Sequence, residues 1–360
     1  DRKKIRSIAV VGPNADSRAA LYGNYCGTAS EPITILDGIR EAVCSKTRIY
    51  YAEGCHLYHN SMSSLSEMDD RLSEAVSAAE QSDVTVLCLG LDATLEGEEG
   101  DTSNDFASGD RKDLNLPGPQ ERLLEAVQAT GTPVVVVLMS GSALAVGWAD
   151  EHADAILEAW YPGGRGGRAV ASLLFGEFSP AGRLPVTFYR SASDLPDIHD
   201  YAMENRTYRF FRGVPLYPFG YGLSYTDFCY SAPSISRPIV EAGTDVEVSS
   251  RVKNTGTRES DEVVQLYLKD MEASTRVPNF QLAGFRRIHL KPGETAEVKF
   301  TVTARQMALI DDEGCCILEP GRFRVYVGGS QPDQRSAELL GRKVPFVEFL
   351  VAGHPLPLRR

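Results

Sequence analysis

The sequence predicts an α/β sandwich domain, a mostly parallel sheet with helices on both faces, followed by an all-β domain of fibronectin type III kind. Three observations carry this. Strands that are apolar along their whole length alternate with helical stretches through the first half of the chain. Short alternating strands separated by turns such as NTGT, KPGE and EPGR fill the region after about Ser234. Between the two, a stretch rich in Pro, Gly and aromatic residues lacks any helical period.

The first strand is IAVVG (Ile8–Gly12), followed by a helix in ILDGIREAV (Ile35–Val43) and a strand in RIYYAEG (Arg48–Gly54). A helix through Ser73–Gln81 leads to the strand VTVLCLG (Val84–Gly90). After a long loop, the amphipathic stretch Gln120–Thr130 precedes the continuous apolar strand Pro133–Met139. A helix through LAVGWADE, a strand Asp154–Trp160 and a helix Arg168–Gly176 complete the series. Strands without polar alternation belong to a sheet covered on both faces, which parallel βαβ crossovers produce. These elements define a domain over 1–185. Residues 186–233 read as an ordered connecting arm, because their many large rings would not be left in water. Residues 234–345 read as a β-sandwich; the Cys-Trp-Cys hallmark of immunoglobulin domains is missing, which favours the fibronectin-like version. No site is visible in it. Residues 346–360 read as a C-terminal tail.

Composition narrows the function. The chain has 360 residues, 42% hydrophobic and 24% charged, which suits two or three packed domains. The formal net charge of -12 repels phosphate backbones and argues against a nucleic-acid partner, while suiting a neutral ligand such as a sugar. No apolar run reaches the roughly 20 residues a bilayer span needs, so no membrane partner is expected. The basic start DRKKIR precedes too short an apolar stretch for a signal peptide. The first residue is Asp1 rather than Met, so the chain is expected to be part of something longer. The seven cysteines are scattered, without CxxC or zinc spacing. They are expected to be free, buried thiols of a reducing, cytoplasmic compartment. No metal and no cofactor are expected, and homo-oligomerisation is left open.

One loop stands out for chemistry. Residues 91–119 separate a strand from its following helix, far beyond the usual 2–6 residues. The loop leaves the C-terminal end of a parallel strand, where α/β sheets place ligands. Four acids crowd within it: Glu96, Glu98, Glu99 and Asp101, with Gly97 and Gly100 letting the backbone bend. Like charges nearby raise a carboxyl pKa, as an acid catalyst near neutral pH requires. The same pattern also fits a solvated acidic loop or a cation site, although calcium-loop spacing is poorly matched. VVGPNAD is not a dinucleotide fingerprint, and PGGRGG (Pro162–Gly167) lacks the Lys-Ser/Thr of a P-loop and reads as a tight helix-entry turn. His56 and His59 read as solvated loop residues, and Trp148 and Trp160 as packing.

Taken together, AVVGPNAD, GNYCGTAS…TILDGI, GLDATLEGEE…GDRKDLNLPGPQ, AWYPGGRGGRAVASLLFGEFSPAGRLPVTFY and RTYRFFRGVPLYPFGYGLSYTDF resemble the C-terminal portion of glycoside hydrolase family 3. NTGTRESDEVVQLYL and LAGFRRIHLKPGETAEV resemble its fibronectin-like domain. The GNYxG and LExE…DRxxLxLPGxQ forms look more like the β-xylosidase branch than the β-glucosidase branch.

The resemblance implies a retaining, exo-acting β-glycosidase that removes terminal β-D-xylosyl or β-D-glucosyl residues from an oligosaccharide or aryl β-glycoside. It implies that the nucleophilic Asp lies on an N-terminal (β/α)8 barrel of the same or a companion chain. No SDW-like motif occurs here, and Trp148 follows Gly147. This chain would supply only the general acid/base and be inactive alone. In the LExE pattern that residue maps onto Glu98, with Glu96 and Glu99 as runners-up, and Asp110 and Arg111 anchor the loop. The segment GDTSNDFAS departs from the short family form and loosens the assignment. A non-catalytic carbohydrate-binding or scaffold protein is the alternative. A nucleotide-binding α/β regulator is disfavoured by the missing phosphate loop.

Overall fold

In the computed structural model, which describes residues 2–61, 66–67, 69–98, 100 and 109–358, the apolar runs of the first half form one sheet. Its strands are β1 (Ser7–Val11), β2 (Arg48–Ala52), β3 (Val84–Gly90), β4 (Val134–Met139) and β5 (Ala155–Glu158). They lie in the order β2-β1-β3-β4-β5, and every neighbouring pair is parallel. The crossovers are α1 (Ile35–Ala42), α2 (Leu72–Glu80), α3 (Gln120–Gln128) and α4 (Gly147–His152), and α5 (Gly166–Leu174) follows β5. The central strands β1, β3 and β4 are buried almost throughout, which is why their sequences show no polar alternation.

Helix α1 shows how local chemistry sets an element. Thr34 caps it by accepting the N–H of Asp37 at 3.2 Å, and Asp37 places negative charge in the first turn. Ile35, Leu36 and Ile39 bury its apolar stripe. On the same side Gly38 meets Gly167 of α5 so closely that a Cβ on Gly167 would stand 1.8 Å from the Thr34 carbonyl oxygen. The glycines of PGGRGG therefore serve helix packing, as a tight helix-entry turn.

The strand order reverses direction between β1 and β3. The chain steps outward from β1 to β2, then returns to β3 and proceeds the other way, so the connections after β1 and β3 leave in opposite directions and open a crevice between them. The two long excursions, 12–34 and 91–119, start at that point.

The chain divides into two units, residues 1–178 with 190–192, and residues 179–189 with 193–360. In the second, a sheet of strands Gln281–Leu290, Ser260–Asp270, Gly321–Gly328, Phe346–Ala352 and Ile239–Glu241 faces a sheet of Thr295–Val302, Val246–Asn254 and Phe228–Tyr230. The inward residues Val246, Val248, Val252, Leu266, Val298, Phe300, Val325 and Val327 alternate with outward polar ones and form the core. Phe346–Ala352, expected within a tail, is a full strand. It pairs antiparallel with Gly321–Gly328 and parallel with Ile239–Glu241.

The aromatic segment packs inside this second unit. Tyr208 stacks on Phe219 with centroids 4.1 Å apart, and both stand edge-on to the fully buried Tyr267. Gln265 accepts the Tyr267 hydroxyl at 2.6 Å and donates to the Gly220 carbonyl at 3.0 Å. Arg183 and Glu262 form an ion pair with side chains only 8% and 2% exposed, and Glu262 also accepts from Tyr230. A buried pair is costly to break from one side because the remaining charge stays desolvated. Arg183→Ala is expected to destabilise the second unit by about 3–5 kcal/mol. Urea denaturation followed by tyrosine fluorescence checks this, and a loss under 1 kcal/mol would mean that the pair is open to water.

Candidate active site

The base of the 91–119 loop is closed by one side chain. Gln120, the first residue of α3 and fully buried, accepts the Gly90 N–H at 2.8 Å and donates to the Gly90 carbonyl at 2.8 Å. It donates to the Leu57 carbonyl as well, at 2.7 Å. The last residue of β3 and the first of α3 are thereby held together. Gly90 has φ 135° and would bring a Cβ to 2.0 Å from the Met139 carbonyl oxygen, so glycine is required there. Asn14, fully buried after β1, donates to the Leu91 carbonyl at 2.8 Å and joins the two excursions across the reversal point. The VVGPNAD motif thus serves this tie.

From this base the chain turns through Asp92, whose carbonyl accepts the N–H groups of Leu95 (3.0 Å) and Glu96 (3.1 Å). Glu96 then reaches across the ends of two further strands. Its Oε2 accepts the N–H of Gly141, after β4, at 2.6 Å and the hydroxyl of Tyr161, after β5, at 2.6 Å. One carboxylate oxygen so fastens three consecutive strand-end loops. The approach is close: a Cβ on Gly141 would stand 3.0 Å from Glu96 Oε2 and 3.0 Å from the Tyr161 ring. Trp160 takes a left-handed conformation, φ 53°, which is strained for a bulky residue, and its N–H donates to Glu158 Oε1 at 2.9 Å.

The electrostatics follow from burial. Desolvation, reinforced by its hydrogen bond to Glu96, holds the Tyr161 phenol protonated well above its usual range. Glu158 is half-buried as a residue, but its Oε2 has no solvent contact. Desolvation first, and the nearby Glu96 charge after it, push the Glu158 carboxyl up to about 8.

Glu98, two residues beyond Glu96, is exposed and makes no hydrogen bond or ion pair among the described residues. Between them, the Gly97 N–H donates to the Gly109 carbonyl at 3.2 Å, which pins the two sides of the loop together. Glu99 lies outside the described residues, as does Asp101. Asp110 is exposed. Arg111 has a largely buried side chain that donates to the Asn115 carbonyl at 2.7 Å and lies 3.5 Å from Asp113, while its buried Nη1 has no partner among the described residues. Tyr25 is 76% exposed with φ 58°. His56 Nδ1 accepts the N–H groups of Tyr58 and His59, a local turn. Asp311, Glu313 and Cys315 place ligand atoms within 4.8 Å of one another, but Asp311 Oδ1 already accepts the N–H of Glu313 (3.0 Å) and Cys315 (2.8 Å), so the grouping is that of a turn.

Against known proteins, the sequence model described as glycosyl hydrolase family 3 C-terminal domain matches residues 2–225, and a fibronectin type III-like domain matches residues 262–331. The chain belongs to glycoside hydrolase family 3. It is 37% identical to a periplasmic β-glucosidase of Salmonella typhimurium over 94% of this chain and 47% of that protein. It is 38% identical to a β-xylosidase of Formosa agariphila over 92% of this chain and 45% of that protein. The structure of a β-glucosidase from Erythrobacter marinus superposes with a TM-score of 0.82 at 32% identity, covering 98% of this chain and 47% of that one. The chain spans about half the length of the curated relatives it matches, and it comprises the C-terminal domain of a family 3 enzyme with its fibronectin-like domain.

Two expectations are corrected. The Salmonella relative is periplasmic, which points this family 3 chain to a periplasmic or secreted location rather than the cytoplasm. The cysteines misled because only Cys55 and Cys88 are buried; the other five are exposed or partly so, and all seven are unpaired. Thiols without a partner in bridging range stay free in either compartment, so they do not report on it. Tyr161, Gly141 and Glu158 escaped sequence reasoning. AWYPGG was visible as a family 3 motif, but nothing in the string says that its tyrosine returns to Glu96.

The Glu158 carboxyl predicts a pH signature. Its folded pKa lies above the ordinary 4.5, so its contribution is fully present below about pH 4.5 and is lost as pH rises towards about 8. Denaturation midpoints measured across that window should fall with pH, and Glu158→Gln should flatten the fall. Equal slopes for the two proteins would mean that Glu158 ionises in the fold as it does in water.

Proposed function

We propose that the complete enzyme is a retaining, exo-acting β-glycosidase that releases terminal β-D-xylosyl or β-D-glucosyl residues, with Glu98 as its general acid/base. The observation that carries the assignment is the division of labour between neighbouring glutamates. Glu96 Oε2 is engaged by the Gly141 amide and the Tyr161 hydroxyl, so it serves as a brace. Glu98 stands two residues further on the same tied loop and is exposed. Asp110 and Arg111 support the far side of the loop.

The reaction needs a second carboxyl about 5–5.5 Å away, and an Asp on a (β/α)8 barrel outside this chain would supply it. In the first step the Asp carboxylate attacks the anomeric carbon while Glu98 gives its proton to the glycosidic oxygen. The C–O bond breaks, the aglycone leaves as an alcohol, and Glu98 is left as a carboxylate. In the second step Glu98 takes a proton from water as the water oxygen attacks the anomeric carbon. The glycosyl–Asp ester is displaced, and Glu98 is again an acid. Both β-glucosidases and β-xylosidases stand among the relatives, which supports these two sugars.

In the complete enzyme, Glu98→Ala should lower kcat/KM on an unactivated disaccharide by about 10²–10⁴-fold. Aryl glycosides with good leaving groups need little acid assistance and should lose far less in the first step. Added azide, which attacks the glycosyl–enzyme without base help, should restore turnover as glycosyl azide. An unchanged kcat on the disaccharide would overturn the assignment. The 360-residue chain alone should hydrolyse no aryl β-xyloside or β-glucoside, and turnover there would refute the split of the two carboxyls.

A further inference from the structure

Glu158, the last residue of β5, takes no part in the proton transfers described above, yet the turn that carries Tyr161 is built on it. The ladder with β4 ends one residue later, where the Ala159 N–H donates to the Leu138 carbonyl at 2.9 Å. The next amide, that of Trp160, turns away from the ladder and donates to Glu158 Oε1 at 2.9 Å. Trp160 takes φ 53° there, a conformation that a bulky residue holds only when its surroundings over-determine it. Gly163 closes the far side of the turn by donating its N–H to the Leu21 carbonyl at 2.8 Å. Tyr161 is thereby held between two fixed amides. Its ring passes so near Gly23 and Gly141 that a Cβ on them would stand 2.9 Å and 3.0 Å from it. In that slot the hydroxyl meets Glu96 Oε2 at 2.6 Å.

The Glu158 carboxyl sits where a charge is poorly tolerated. Its Oε2 has no solvent contact, and the nearby Ser140 hydroxyl gives its proton to the Ser142 carbonyl at 2.9 Å. Glu158 forms no ion pair among the described residues, and the charged group that faces it is Glu96, from the 91–119 loop. Asp92 and Arg111, from the same loop, act on Tyr161 with opposite signs. A second anion beside Glu96 would meet neither water nor a counter-charge, and like charges in such a place repel strongly. As a neutral acid, Glu158 still offers Oε1 to the Trp160 N–H and adds no charge.

We propose that Glu158 is a positioning residue for the proton donor: as a neutral acid it holds the Trp160 turn that delivers Tyr161 to Glu96, and its ionisation releases that brace. The two carboxylates can then relax only by parting or by admitting water, and either change lengthens the Glu96–Tyr161 contact. Loss of the brace frees the segment that carries Glu98, two residues beyond Glu96, and proton transfer tolerates little displacement. The effect on the brace stands by itself. The effect on turnover rests on the reading of Glu98 as the acid/base.

The test has two arms. In the first, carbon NMR of the 360-residue chain follows the Glu158 and Glu96 carboxyl carbons and the Tyr161 Cζ from mildly acidic to alkaline pH. Glu158 should titrate near pH 8, and the Glu96 and Tyr161 signals should move with the same midpoint. Glu158→Gln stays neutral and keeps an oxygen for the Trp160 N–H, so both signals should hold the parent's low-pH positions throughout. Glu158→Ala lacks that oxygen and should show them displaced even at low pH; if it does not fold, the Gln variant decides. In the second arm, on the complete enzyme at mildly acidic pH, Glu158→Ala should lower kcat on a disaccharide by about tenfold or more with KM nearly unchanged, and Glu158→Gln should restore it. The proposal is overturned if the Glu96 and Tyr161 signals stay flat while Glu158 titrates, if Glu158 is already ionised at mildly acidic pH, or if Glu158→Gln keeps the transition. A displaced brace with an unchanged kcat would instead remove Glu98 as the donor, and the positioning role with it.

Discussion

A single amide closes the structure on which the site depends. Gln120 accepts from and donates to the backbone of Gly90, so the end of β3 and the start of α3 stay in contact across the long connection between them. Without it, the buried N–H and C=O of Gly90 would need other partners where the strand ladder runs out, and unpaired buried backbone is rare because it is costly. Closing a loop of this length costs chain entropy, but that cost grows only slowly with length. A long functional loop is therefore affordable, provided something fixes its base. Asn14 and Glu96 extend the same principle outward, the first across to the β1 excursion and the second across to the loops after β4 and β5.

The parallel sheet explains why those ties meet. Every strand of a parallel sheet ends on the same edge, so the loops after β1, β3, β4 and β5 emerge together although they are far apart in sequence. The reversal of strand order between β1 and β3 leaves a crevice there, and the longest loop starts from it. Glu96, Gly141 and Tyr161 become neighbours by topology, not by local pattern.

This sets what could be read from the string. The strands of the first unit were legible because burial on both faces leaves an unbroken apolar signature, as in Val84–Gly90 and Val134–Met139. The sandwich strands were legible through alternation, as in Val246–Asn254. Phe346–Ala352 was not, because it follows a short helix and one of its two partners, Ile239–Glu241, is distant in sequence and parallel. At the site, the acidic loop announced itself by its length and charge. The engagement of Glu96, on which the proposed choice of Glu98 rests, depends on partners 45 and 65 residues away, which no local pattern encodes. The thiols misled for a related reason: exposure and pairing are decided by the fold, and a count of cysteines carries neither.

Division of labour between two glutamates also answers a mechanical problem. An exposed acid on a long loop samples many positions, whereas transfer to a glycosidic oxygen tolerates little displacement; an error of about 1 Å can cost about a hundredfold. Two residues of extended chain reach at most about 7 Å. Because Glu96 is fixed to the ends of two other strands, and Gly97 to Gly109, Glu98 swings on that short tether from a rigid point. In the proposed role, the tether would leave its carboxyl room to turn from donating a proton to accepting one, and deny the backbone room to leave. Placing both acids in contact with the body of the domain would fix the loop but bury the proposed proton donor. Freeing both would expose it but lose its aim. The pairing of a fastened Glu96 with an open Glu98 is the arrangement that meets both demands on a loop of this length.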